Sequence, residues 1–197
     1  TCTLTIRSRR STTARYELEP LGVVGSRAKD LRFELVDRGD DRWDATAGGW
    51  IEPAVREVII PPRGVVEVPV RVTVPADPPT GGVYGAIDVV ARTKVSAGKT
   101  ALGIESHAAS IVLLDVGGEG APDLSLRDVE APRLRWDRAA WPITGEVEND
   151  GTLHARASGR VRIRSIFGNE VATLPLEGHT ILPGGRQDQA TAGSVVV

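Results

Sequence analysis

Between residues 64 and 75 the chain reads GVVEVPVRVTVP, and no other segment restricts its fold as much. Val66, Val68, Val70, Val72 and Val74 hold one parity, while Glu67, Pro69, Arg71 and Thr73 hold the other. Side chains along a strand alternate between its two faces, so valine at every second position is the pattern of a half-buried β-strand. A helix would scatter the same valines around its circumference. Pro69 has no N–H for a ladder, which predicts an edge strand or a bulge.

The same period recurs. LRFELVD (31–37) puts Leu31, Phe33 and Leu35 on one face, and TLTIRS (3–8) does so with Leu4 and Ile6. ARYELEPLG (14–22) and ASIVLLDV (109–116) add two further strand candidates. No window repeats apolar residues at three and four, and turn residues come too often for long helices. The chain therefore reads as all-β, a sandwich or a barrel.

After Val74, PADPPTGG stops the strand: proline fixes φ, and Gly81 and Gly82 allow a sharp corner. VYGAIDVVA returns the chain with Val83, Gly85, Ile87 and Val89 on one parity. Tyr84 falls where immunoglobulin-like sandwiches place a corner tyrosine near the start of strand F, with its hydroxyl bonding back to the backbone; the competing reading is a plain strand aromatic. A glycine-rich break, VGGEGAPD (116–123), precedes a second series of strands: DLSLRDVEAPRL, WPITGEVEND, GRVRIRSIFG, NEVATLPLEG and HTILPGG. That makes about five, where an immunoglobulin-like domain has roughly seven. The expected architecture is two tandem immunoglobulin-like antiparallel sandwiches, residues 1–117 and 122–197, the second short or incomplete.

Chemistry is sparse. His107, His154 and His179 lie far apart, without HExxH, GxSxG or a cysteine beside a base, so no catalytic, cofactor or metal site is expected. The loop DRGDDRWD (37–44) brings Asp37, Asp40, Asp41 and Asp44 together, but it lacks the ligand spacing of a helix-loop-helix calcium site and reads as a solvated hairpin loop. Its Arg38, Gly39, Asp40 triplet matches an adhesion tripeptide that recurs by chance. Arg160, Arg162 and Arg164 share one parity opposite Val161 and Ile163, forming a guanidinium row suited to carboxylate or phosphate. The plainer alternative pairs them with acids on the next strand. Trp136 is the candidate aromatic partner of that row, Trp43 is a further tryptophan of the first unit, and Trp50 and Trp141 read as core anchors.

The 41% apolar, 25% charged composition is that of a globular chain, with no run long enough to span a bilayer. A net charge of -2 gives no general attraction to nucleic acid. Only three of 24 basic residues are lysine, a bias read as base composition. The single Cys2 cannot form an internal disulfide. A start at TCTLTIRS without methionine suggests a piece of a longer product, with any export signal or membrane anchor outside these residues.

PPRGVVEVPVRVTVPADPPTGGVYGAIDVV, together with ENDGTLHARASGRVRIRSIFGNEV and ILPGGR, resembles bacterial cell-surface proteins of the WxL-interacting, peptidoglycan-binding type over residues 14 to 186. Similar turn patterns occur in pilus-type periplasmic chaperones. The resemblance implies tandem immunoglobulin-like domains outside the cell, the first facing the wall and the second a partner. The expected function is a non-catalytic extracellular, cell-envelope module that binds a wall polymer or a surface protein. Two alternatives stand beside it. One is a strand-donating or pilus-chaperone-like module, with VVV (195–197) available for exchange in a swapped homodimer. The other is an accessory carbohydrate-binding domain with a tryptophan platform.

Overall fold

The computed structural model describes residues 1–28, 31–97, 100–131, 141–165 and 167–193; Trp136 and the VVV tail lie outside them. Among the described residues there are thirteen strands, two three-residue 3-10 helices and no α-helix. The fold is all-β and immunoglobulin-like, built from antiparallel sheets. The chain divides into two compact units, the first holding 1–23, 35–79 and 83–116 and the second 24–34, 80–82 and 117–197.

In the first unit one sheet runs in the order β1 (Cys2–Arg7), β6 (Val65–Val72), β4 (Ile51–Pro53). The other runs β3 (Phe33–Val36), β2 (Ala14–Gly25), β7 (Gly81–Ala97), β8 (Thr100–Val116), with β5 (Glu57–Ile60) also paired to β2. Ile6, Val68, Val70 and Ile51 from the first sheet meet Tyr16, Leu18, Ile60 and Ile87 from the second in one apolar cluster.

The valine parity of β6 is the observed one: Val68 and Val70 are buried and Glu67, Pro69 and Arg71 exposed. Val74 lies past the strand's end and is exposed. The edge assignment from Pro69 is corrected, because β6 is the middle strand of its sheet. Pro69 pairs with Thr3 on one side, and its carbonyl accepts the Ala54 N–H at 2.8 Å on the other. An antiparallel pair at that point would exchange two bonds, and proline can supply only the acceptor. β4 accordingly ends at Pro53, one residue before.

Two other parity expectations are overturned. In β3 it is Val36 that is fully buried, while Leu31 and Leu35 are exposed. In β7 burial does not alternate: Val83, Tyr84, Gly85, Ala86, Ile87 and Asp88 are all buried. β7 sits between β2 and β8, and a strand covered on both faces reads as a continuous apolar run.

Gly22 and Gly85 face each other across β2 and β7. A Cβ on Gly22 would fall 2.2 Å from Thr46 Oγ1, and one on Gly85 would lie 3.1 Å from the Ala47 carbonyl carbon. This side-chain-free pair lets the turn from Trp43 to Trp50 settle onto the sheet, where the Ala47 N–H donates to the Tyr84 carbonyl at 2.9 Å.

The second unit has a sheet ordered β13 (Arg186–Gly193), β10 (Trp141–Asn149), β9 (Leu124–Glu130), and a hairpin of β11 (Ala155–Arg164) with β12 (Glu170–Ile181). Residues 169–185, expected as two strands, supply the single β12, and the polar tail RQDQATAG becomes β13. Five strands make this the shorter sandwich among the described residues.

Buried polar groups organise this unit. Asn149 is fully buried: its Oδ1 accepts from the Asp123 and Gly151 amides at 3.1 Å, and its Nδ2 donates to the Leu153 and Ile181 carbonyls at 2.8 and 3.0 Å. Beside it the Glu148 carboxylate, 6% exposed, meets Arg27 at 3.0 Å, Arg127 at 2.9 Å and Arg186 at 3.7 Å.

Candidate functional site

β8 is the long strand at the end of the five-stranded sheet, hydrogen-bonded to β7 on one side and to no other described strand. Its described side chains follow two regimes. Val112, Leu114 and Val116 turn inward and pack on the core, leaving Ile111 and Leu113 on the opposite parity, Leu113 41% exposed. Earlier in the strand, residues 103–110 are exposed on both faces. From Ala108 to Leu114 the edge carries no charge and no proline, two of the devices that blunt a free edge. Beside it an open cleft of about 570 Å³ runs between β1 and β8, with Leu4, Ile6, Tyr16 and Ala91 on its floor and Arg7 and Arg9 on its rim. The core of the first unit is therefore reachable along this mouth.

A charged network ties the exposed half of β8 to β7. Asp88, its side chain 6% exposed, accepts from or shares a proton with His107 Nδ1 at 2.7 Å, and its Oδ1 is buried without a partner. Glu105 Oε1 accepts from Arg92 Nε at 2.7 Å, and Arg92 also bonds Glu17 on β2. The Asp88 carboxylate holds His107 above the usual imidazole pKa, and Arg92 holds Glu105 below the usual carboxylate range. The histidine that looked isolated in the sequence thus has a carboxylate partner nineteen residues away.

Arg160, Arg162 and Arg164 are all exposed on β11, with Val161 and Ile163 half-buried behind them. Their cross-strand neighbours are Pro175, Thr173 and Glu170, so one of three is acidic. Trp136, the expected aromatic partner, lies outside the described residues.

At the corner, Gly81 has φ +102, a conformation glycine adopts without strain, and the Gly82 N–H donates to the Thr152 carbonyl at 2.8 Å. Tyr84 is buried, as both a corner tyrosine and a plain strand aromatic would be. In the 37–44 loop the acids serve the turn: Asp37 accepts from the Gly39 amide at 2.8 Å, and Asp40 takes the Arg42 guanidinium at 2.8 and 3.0 Å, which holds its carboxyl below the ordinary range. Among the described residues no three His, Cys, Asp or Glu side chains cluster as metal ligands would. Trp43 and Trp50 are half-buried and line one open cavity of about 510 Å³ with Glu19, Arg38, Glu52 and Arg56; Trp50 also packs on the core.

These features define, among the described residues, a β-sandwich whose β8 edge is long and free of charge and proline from Ala108 to Leu114. No family model matches the chain, and no curated protein does. Among solved structures it is similar to the class 5 fimbriae chaperone CfaA, at 12% identity over 99% of this chain and 92% of that one, TM-score 0.49. It is also similar to a chain of the CsuC–CsuE chaperone–tip adhesion subunit pre-assembly complex of Acinetobacter baumannii, at 11% identity over 100% and 82%, TM-score 0.47. The CupB2 chaperone of Pseudomonas aeruginosa is similar at 6% identity over 100% and 92%, TM-score 0.44.

Proposed function

We propose that the chain is a non-catalytic, protein-binding module of the cell envelope that joins its partner by β-strand addition at β8, in the manner of a pilus-chaperone-like or strand-donating protein. The observation that carries this is the uncharged, proline-free edge from Ala108 to Leu114. Each unpaired N–H and C=O along it can bond an extended partner, while Ile111 and Leu113 supply alternating apolar contacts. Main-chain bonds give affinity, and side-chain pockets give selectivity. The envelope placement is supported by the sequence resemblance.

Synthetic peptides with alternating apolar and polar residues test this, against scrambled and backbone N-methylated versions. Binding of the alternating peptides should slow hydrogen exchange at β8 amides, and Leu113→Lys should weaken it. Binding that survives N-methylation, or that protects no β8 amide, refutes strand addition.

A second reading, carbohydrate binding, is favoured by Trp43 and Trp50 lining one cavity with the charged side chains of Glu19, Arg38, Glu52 and Arg56. Sugars stack on indole faces and accept or donate hydrogen bonds at such groups. Soluble glycans should then change tryptophan fluorescence in the parent and not in Trp43→Ala; an unchanged response in that variant excludes the cavity.

A further inference from the structure

The β11–β12 hairpin carries a juxtaposition that strand addition does not use. Phe167 stands at its tip, 84% exposed, whereas the next most exposed large apolar side chain among the described residues, Leu126, is 61% exposed. The tip is a built turn: the Gly168 N–H donates to the Ser165 carbonyl at 2.9 Å, the Ser165 N–H to the Asn169 carbonyl at 2.8 Å, and the Phe167 N–H to Ser165 Oγ at 3.3 Å. These bonds close the turn that carries the exposed ring. Arg164, Arg162 and Arg160 then follow along the exposed face at intervals of about 7 Å, two strand residues apart. The facing positions on β12 are Pro175, Thr173 and Glu170, and Glu170 already accepts the Thr173 hydroxyl. The face is thus strongly cationic on a chain whose net charge is -2.

We propose that this hairpin is a peripheral membrane-binding face, which lays Arg160, Arg162 and Arg164 on an anionic phospholipid surface and presses Phe167 among the acyl chains at its edge. Charge complementarity selects an anionic occupant, and the exposed ring selects among anions. A soluble phosphodiester or uronate polymer would satisfy the guanidiniums and offer nothing apolar to Phe167. A bilayer surface offers phosphate headgroups and hydrocarbon within one contact, and stable peripheral binding takes two such signals together. Single-stranded nucleic acid binds through repeated aromatic platforms along a basic groove, and this face shows one ring.

Co-sedimentation with phosphatidylcholine vesicles, with and without phosphatidylglycerol, tests the proposal. The chain should partition onto the anionic vesicles, stay off the zwitterionic ones, and be released by high salt. The triple variant Arg160→Gln, Arg162→Gln, Arg164→Gln should lose about tenfold or more in partitioning. Phe167→Ser should lose several-fold and leave a weaker, more salt-sensitive attachment. All four side chains are exposed, so unchanged circular dichroism confirms that each variant folds. Absence of binding to anionic vesicles, or undiminished binding of the triple variant, overturns the proposal. So does tighter retention of poly(glycerol phosphate) or a single-stranded oligonucleotide than of the vesicles.

Discussion

Replacing Asn149 by alanine should be among the most damaging single changes in the second unit, because one amide makes four hydrogen bonds there. Removing it strands the N–H groups of Asp123 and Gly151 and the carbonyls of Leu153 and Ile181. A net intramolecular hydrogen bond contributes about 1 kcal/mol, and a buried group left unpaired costs about 1 to 3 kcal/mol. Three of the four partners are only partly buried and can recover water, while the Ile181 bond is fully buried. The loss comes to about 3 kcal/mol, or a drop in Tm of more than about 10 °C for a unit of this size. Asn149→Asp refines the argument. It keeps an acceptor for the two amides but sets a second carboxylate oxygen against two carbonyls, which raises its folded-state pKa above the unfolded value near 4. Where the native state binds the extra proton, stability falls as pH rises. The aspartate variant should therefore match or exceed the alanine loss at neutral pH and recover part of it, relative to the parent, in mild acid. Urea titration by far-UV circular dichroism gives the difference, and hydrogen exchange in β10 and β12 locates it. An alanine variant within about 0.5 kcal/mol of the parent would show that Asn149 does not organise this unit.

Four other outcomes follow from the geometry. Gly22→Ala should cost about 1 to 3 kcal/mol in thermal or urea unfolding, since its Cβ would overlap Thr46 Oγ1, whereas Gly103→Ala, with nothing within 4 Å, should be near neutral. Glu148→Gln should destabilise by about 2 kcal/mol in the same assay, less than a fully buried pair, because Arg27 and Arg127 are more than half exposed and keep much of their hydration. His107 gains a carboxylate partner on folding and its pKa is raised, so its stabilising effect is complete below the ordinary value of 6.5 and disappears as pH climbs through the raised folded value. Stability measured against pH should decline over that window in the parent relative to His107→Asn, and parallel curves would refute the pairing. Leu113→Lys should leave Tm within a few degrees, because the side chain already reaches solvent.

How much of this was legible in the sequence depended on whether a strand had one wet face. β6 and β1 did, and their valines, leucine and isoleucine announced them. β7 is covered on both faces, so alternation vanished and the inward set could not be read from VYGAIDVVA. In β3 the apolar residues share a parity, yet Val36 is the buried one, since burial is decided by what packs above the strand. β13 escaped because RQDQATAG is polar, and its strand conformation comes from pairing with β10 along eight positions. Proline at 69 identified a place where pairing stops, and the error lay in assigning the stop to the whole strand when it ends only β4. The arginine row was legible for the same reason as β6. The Asp88–His107 pair and the Asn149 hub were not, because the first spans 19 positions and the hub's bonds to Asp123 and Ile181 span 26 and 32, through registers that local patterns do not specify.

The free edges of the first unit are treated unequally, and that contrast favours a use for β8. β4 is three residues long, β3 and β5 four and β1 six, lengths that offer an incoming strand less to pair with than β8 does. β8 runs seventeen residues, and its charges at Glu105, His107 and Asp115 flank a neutral stretch. Glu105 and His107 are also engaged with β7, so the charges anchor the strand to its own sheet instead of repelling a visitor. An edge neglected by chance would be destabilised along with its open cleft, whereas this one is held in place by a buried carboxylate and an arginine bridging two strands. If holding β8 in position is what the network does, His107→Ala together with Arg92→Ala should speed hydrogen exchange in residues 103–110 and weaken peptide capture along the 108–114 edge without unfolding the core. Equal exchange in parent and double variant would mean that backbone pairing alone fixes the strand.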